Sequence, residues 1–155
     1  MTQTIVPSAI SKSIRVNADP ARAFDVFTAG LHRWWPASHS IGSSPIKEAV
    51  MEPREGGRWF ERGEDGSECD WGRVLVWEPP TRLILAWQID GEFRYDPELV
   101  TEVEVRFIAD GPGATRVELE HRNLDRFGKH HEAIHGTFAS PGGWSGTLER
   151  FAAAC

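Results

Sequence analysis

At 155 residues the chain is long enough for one sizeable core and too short for two ordinary ones, so residues 1–155 are read as a single domain. Seventeen Lys plus Arg against 23 Asp plus Glu give a net charge of -6, which argues against sequence-independent binding to nucleic acid or to an anionic membrane. No apolar run reaches the length of a membrane span and MTQTIVPSAISKS lacks the basic start and apolar core of a signal peptide, so a cytoplasmic protein is expected.

Residues 9–16 alternate, with Ile10, Ile14 and Val16 on one face and Ser11, Ser13 and Arg15 on the other, as in a half-buried strand. Asp19-Pro20 then suits a helix start: the carboxylate can accept from free backbone N–H groups, and proline at the first position has no N–H to lose. Phe24, Phe27 and Leu31 follow at helical spacing until Trp35-Pro36 stops the pattern. From Lys47 to Leu119 strand follows strand, separated by turn residues at Glu55-Gly56-Gly57, Glu64-Asp65-Gly66, Glu78-Pro79-Pro80, Asp90-Gly91 and residues 110–113. Val103, Val105 and Phe107 oppose Glu102, Glu104 and Arg106; Val117, Leu119 and His121 oppose Arg116, Glu118 and Glu120. Such alternation predicts an antiparallel sheet with one wet face. Leu83, Leu85, Trp87 and Ile89 also share a face, whereas in residues 69–77 both faces carry apolar groups and the inward one is not readable. Ser140-Pro141 is a plausible start for a closing helix with Trp144, Leu148, Phe151 and Ala152 on one side. The order of elements is that of an α+β domain whose sheet buries one face against that helix.

Seven tryptophans and eight phenylalanines beside a single tyrosine are spread along the chain, so many elements contribute to one aromatic interior, either a filled core or the lining of a cavity. Cys69 and Cys155 have no metal-binding spacing and are read as free thiols.

The run AFDVFT at residues 23–28, followed by Trp34-Trp35-Pro36 and His39-Ser40-Ile41-Gly42, resembles the opening of bacterial homologues of the heat-shock-protein-90 ATPase activator, in the START-like (SRPBCC) superfamily. Residues 52–87 are similar to the central block of that family; TEVEVRF (101–107), TRVELEHR (115–122) and Gly143-Trp144 resemble its later landmarks. The resemblance implies a helix-grip fold: a curved antiparallel sheet wrapped around a long C-terminal helix, with two short helices after the first strand. Such domains commonly enclose an apolar cavity between sheet and helix. Trp35, Trp59, Trp71, Trp87, Phe107, His121, Trp144 and Leu148 are then the expected ligand-binding residues. The superfamily includes lipid carriers, hormone receptors, cyclases and oxygenase subunits, so the fold alone does not give a reaction. The co-chaperone role belongs to longer relatives in which a further segment contributes to chaperone binding; no counterpart is visible here, and a chaperone partner is not expected.

HEAIH at residues 131–135 fits the two-histidine zinc pattern, which needs a rigid helix, a third ligand and a glutamate placed to take a proton from metal-bound water. Gly128 and Gly136 leave room for little more than two turns, no third histidine follows, and Glu149 falls on the outer side of the closing helix. Residues 125–140 are also where the chain departs from the family. A solvated surface excursion is expected there, with no metal and no cofactor; metal binding by His130, His131 and His135 would be adventitious. Glu52, Arg54, Arg58, Glu61, Asp70 and Arg73 are read as cross-strand ion pairs on the wet face. His39 fits a gate or a plain loop position equally.

The first expectation is therefore a domain that binds a small apolar or aromatic molecule between its sheet and its C-terminal helix, with no catalysis evident from the residues. Two alternatives stand beside it: a lyase, cyclase or hydrolase using the same cavity, with His121 or a carboxylate as general acid or base, and a chaperone-associated or regulatory interaction module with a solid core. A homodimer is compatible with either.

Overall fold

The computed structural model describes residues 9–36 and 39–155. Strand β1 (Ile10–Val16) leads into helix α1 (Pro20–Thr28), whose first turn is closed by the Asp19 carboxylate accepting from the Arg22 N–H at 2.8 Å. The helical spacing that continued to Leu31 is split at Gly30, where a β-carbon would lie 2.7 Å from the Val26 carbonyl oxygen. Chain direction changes there, and α2 (Leu31–Trp34) follows as the second of the two expected short helices.

Strands β2 (Ile46–Met51), β3 (Arg58–Gly63), β4 (Glu68–Glu78), β5 (Arg82–Trp87), β6 (Thr101–Ala109) and β7 (Thr115–Arg122) complete one antiparallel sheet in the order β1-β7-β6-β5-β4-β3-β2. The predicted alternation holds in β6 and β7: Val103, Val105, Phe107, Val117, Leu119 and His121 are all buried on the inner face. Strand β4, ambiguous in sequence, carries two register shifts, opposite Trp59/Phe60 and at Val74/Val76. Those bulges let Trp71 and Val74 point inward although they do not share a simple two-residue repeat.

One long C-terminal helix was expected; the structure replaces it with a series of short segments. A 3-10 stretch (Leu124–His130) runs into α3 (His131–Ala139), a π-type turn (Pro141–Ser145) follows, and α4 (Gly146–Ala154) closes the chain. Proline 141 supplies no N–H, and Gly143 leaves the helical region (φ -90°, ψ -132°) because the chain passes so close to α3 that a β-carbon there would meet the Phe138 carbonyl oxygen at 2.3 Å. Ser140 does not cap the next segment; its hydroxyl donates back to the Thr137 carbonyl at 2.6 Å.

The helices fill the hollow of the sheet in two parts. Beneath α1, Phe24, Phe27, Trp34, Phe107 and Phe151 pack edge to face and tilted, with centroids 5.0–5.8 Å apart. A second aromatic group, joined to the first through Trp34 and Trp35, occupies the other end. Among the described residues no helix is long and apolar enough to cross a membrane.

Candidate functional site

Five tryptophans make up the second group: Trp35, the residue that follows α2, and four from separate elements. Trp35 lies 5.0 Å from Trp71 and 6.0 Å from Trp59; Trp59 is 5.6 Å from Trp87, and Trp87 is 5.7 Å from Trp144, all between ring centroids. Gly72 makes the packing possible. The Trp59 indole crosses it to donate to the Ala86 carbonyl at 2.9 Å, and a β-carbon on residue 72 would sit 1.7 Å from that same oxygen.

His121 stands at the end of this group, fully buried. The Trp144 indole N–H donates to His121 Nδ1 at 3.2 Å. A neutral ring whose Nδ1 accepts must carry its proton on Nε2, which lies 2.8 Å from Thr101 Oγ1; the threonine hydroxyl in turn donates to the Trp87 carbonyl at 3.1 Å. Every donor and acceptor of that chain is used. Burial pulls the imidazole down to a pKa of about 3, so the ring is neutral at physiological pH and has neither a free lone pair nor a free proton.

Residues 124–139 correct the expectation of a solvated excursion. Leu124, Phe127 and Ile134 are buried, and Phe138 stacks on the His121 ring at 5.0 Å with 21° between planes while touching Trp87 at 5.2 Å. Helix α3 is thus a cover over the aromatic group. The apolar spacing 124, 127, 134, 138 carried that signal in the sequence, beneath the more conspicuous HEAIH.

Between α3, the Trp87 end of β5 and the segment from His39 to Ile41 opens a cleft of about 420 Å³, a size that suits a small organic molecule. Trp87, Ile89, Phe138 and the glycines at 142 and 143 line it, and Phe93 stands at its mouth. Phe93 is 57% exposed and held at φ 62°, an uncommon conformation for a bulky residue. The Asp90 carboxylate fixes that turn by accepting from the N–H groups of Glu92 (2.9 Å) and Arg94 (3.0 Å). His39, on the wall, touches Trp35 at 6.1 Å, and burial lowers its pKa.

The opposite wall rests on a buried carboxylate. Glu61 accepts from the Ser40 hydroxyl, the Ile41 N–H (2.6 Å) and the Trp71 indole (3.0 Å). It was expected among the wet-face ion pairs, but alternation along β3 sends Arg58, Phe60 and Arg62 outward and Trp59, Glu61 and Gly63 inward. The rest of that charge set does lie outside: Arg58 pairs with Asp70 (2.6 Å) and Glu68 (3.2 Å), Arg54 with Glu52 (3.3 Å), and Arg73 with Asp70 (3.5 Å).

All eight expected ligand-binding residues are buried, and six of them, Trp35, Trp59, Trp71, Trp87, His121 and Trp144, come together. Phe107 packs instead with Phe24 and Phe27 under α1, and Leu148 lies on α4 within the core. Trp87 is the member of the eight that reaches the cleft wall; Ser40, Phe93 and Phe138 were not anticipated. Within HEAIH, His131 Nδ1 faces the Gly128 carbonyl at 2.7 Å and Glu132 is exposed; no cluster of three potential metal ligands exists among the described residues. Burial raises the pKa of both Cys69 and Cys155, which makes them poor nucleophiles.

A sequence model of the family described as "Activator of Hsp90 ATPase homolog 1-like protein" matches residues 17–155. Among solved structures, the chain is similar to Txn09, an anthrahydroquino-γ-pyrone synthase complexed with SUM, at 40% identity over 97% of this chain and 98% of that one (TM-score 0.68). It is similar to CalC, a self-sacrificing resistance protein from Micromonospora echinospora, at 34% identity over 94% and 92% of the two chains (TM-score 0.67). The Aha1 dimer from Colwellia psychrerythraea shares 15% identity over 96% of each chain (TM-score 0.62), a likeness of fold alone. No curated protein matches the chain.

Proposed function

Because the chain belongs to the Activator of Hsp90 ATPase homolog 1-like family, and family membership leaves the ligand open, we propose that it binds a small, flat aromatic molecule in the cleft between α3, Trp87 and the segment from His39 to Ile41. The observation that carries this reading is Phe93, a large apolar side chain kept in solvent at the cleft mouth by a left-handed backbone turn that costs free energy. A planar ring system entering the cleft would cover Phe93 and rest on Phe138 and Trp87, exchanging exposed aromatic surface for stacked contacts. The 40% identity to a protein described as an anthrahydroquino-γ-pyrone synthase supports a fused-ring ligand.

That same likeness favours a second reading, catalysis of a ring-forming step. In that case the acid–base group is His39 and not His121: the His121 nitrogens are both engaged, whereas His39 lines the cleft and its lowered pKa keeps it neutral at pH 7.

Native mass spectrometry of untagged protein, followed by calorimetric titration with planar aromatic compounds, tests the binding reading. A co-purifying organic mass, or a titrated compound whose affinity falls roughly tenfold in Phe93→Ala through loss of its apolar contact, is the expected outcome. Absence of any binding across such a panel would overturn it.

A further inference from the structure

His39 is the one titratable side chain among the residues that line the cleft, and the surroundings of its ring decide which hydrogen bonds it can offer. Its backbone N–H is tied to the Pro36 carbonyl at 3.0 Å, and its ring meets Trp35 edge to face, with centroids 6.1 Å apart and 79° between planes. The Gly142 carbonyl, also of the cleft wall, draws a proton to the imidazole nitrogen nearest it. Burial opposes a second proton, as does the positive charge of Arg150, so the ring is neutral at pH 7. A neutral imidazole with its one proton placed there keeps a lone pair on the other nitrogen, and that lone pair meets no donor among the described residues.

The neighbouring wall does not reverse this character. The Ser40 hydroxyl and the Ile41 N–H both point back to the Glu61 carboxylate. With its proton given to Glu61, Ser40 Oγ keeps only lone pairs for the cleft, so two acceptors stand at consecutive positions of the wall. Glycine at 142 is not demanded by the fold: a β-carbon there would meet nothing nearer than the Ser140 hydroxyl oxygen at 4.0 Å, and the backbone lies outside the left-handed region. Its effect is to leave bare the stretch of wall whose carbonyl faces His39. An ether or ring-carbonyl oxygen arriving at His39 would set lone pair against lone pair; a hydroxyl would not.

We propose that the ligand is a phenolic aromatic whose ring hydroxyl donates to the unprotonated nitrogen of His39. This rests on the cleft being the binding site and names the group by which the site recognises its ligand. His39 is then the residue that determines specificity, while Phe93, Phe138 and Trp87 supply apolar surface.

The test compares 2-naphthol with 2-methoxynaphthalene, neutral two-ring compounds that differ in whether the oxygen carries a hydrogen. Both are titrated calorimetrically at pH 7 into wild type and into His39→Phe, which keeps a ring beside Trp35. Wild type is expected to bind the naphthol roughly fivefold to tenfold more tightly, in line with one hydrogen bond in a partly buried place. His39→Phe should lose that preference and keep its affinity for the ether. In 15N spectra of histidine-labelled wild type, the signal of the unprotonated His39 nitrogen should move upfield with the naphthol and stay in place with the ether, a readout that does not depend on the variant folding. Equal affinities in wild type, a preference that survives in His39→Phe, or an unmoved nitrogen signal would overturn the phenol assignment and leave the cleft standing. Binding of neither compound would overturn the cleft reading beneath it.

Discussion

His121 is held by Trp144 on one nitrogen and Thr101 on the other, so a proton can be added only by turning the indole N–H away from Nδ1 in a place that no water reaches. The sign of the resulting pH effect follows from the two states. Below pH 6.5 the unfolded chain binds a proton that the folded ring refuses until about pH 3. The stability associated with His121 is therefore complete above pH 6.5 and falls progressively as pH drops towards 3. Melting temperature measured between pH 7 and 4 should decline less steeply in His121→Asn, whose amide does not titrate, than in wild type. Trp144→Phe leaves Nδ1 as a buried acceptor without a donor and thins the packing; urea unfolding should show a loss of about 2 kcal/mol.

Helix α3 depends on few anchors. Ile134 is its buried residue, and Phe138 ties it to His121 and Trp87. Phe138→Ala should cost about 2 kcal/mol, below the range for a fully buried phenylalanine because this ring is half-buried, and should speed amide exchange across residues 131–139 more than in the sheet. How far such elements can be read from sequence depends on whether one periodicity dominates. Strands β6 and β7 alternate without interruption, so their inner faces, His121 included, were legible. In β4 two bulges break the period, and nothing in the residue order announces a bulge. Glu61 shares the inner face with Trp59 by simple alternation, but its charge suggests the wet face instead; Phe60, the apolar ring between them, lies outside beneath the Arg58 guanidinium at 4.1 Å. The cover formed by α3 was hidden by a motif whose chemistry drew attention from the apolar spacing around it.

Over the whole molecule the sheet has one aromatic face and one ionic face. The ionic face is centred on Glu104, which meets Arg122 (2.6 Å), Arg82 (2.8 Å) and Arg106 (3.0 Å). Its burial would raise the carboxyl pKa, but the three guanidinium groups outweigh that and hold it at about 2. Its contribution is accordingly present above the ordinary value of 4.5 and lost as pH falls from there towards 2, below the range in which His121 first weakens the fold. Glu104→Gln, which leaves three cations facing one another, should lower stability by about 2 kcal/mol at pH 7 in urea unfolding, with part of the deficit recovered in high salt. The aromatic face has an optical consequence. Trp35, Trp59, Trp71, Trp87 and Trp144 stand in a chain of contacts no wider than 6.4 Å, close enough for excitation absorbed by one indole to pass to the others. A quencher that touches only Trp87 would darken the emission of all five, so the protein carries an amplified fluorescent reporter of its own cleft.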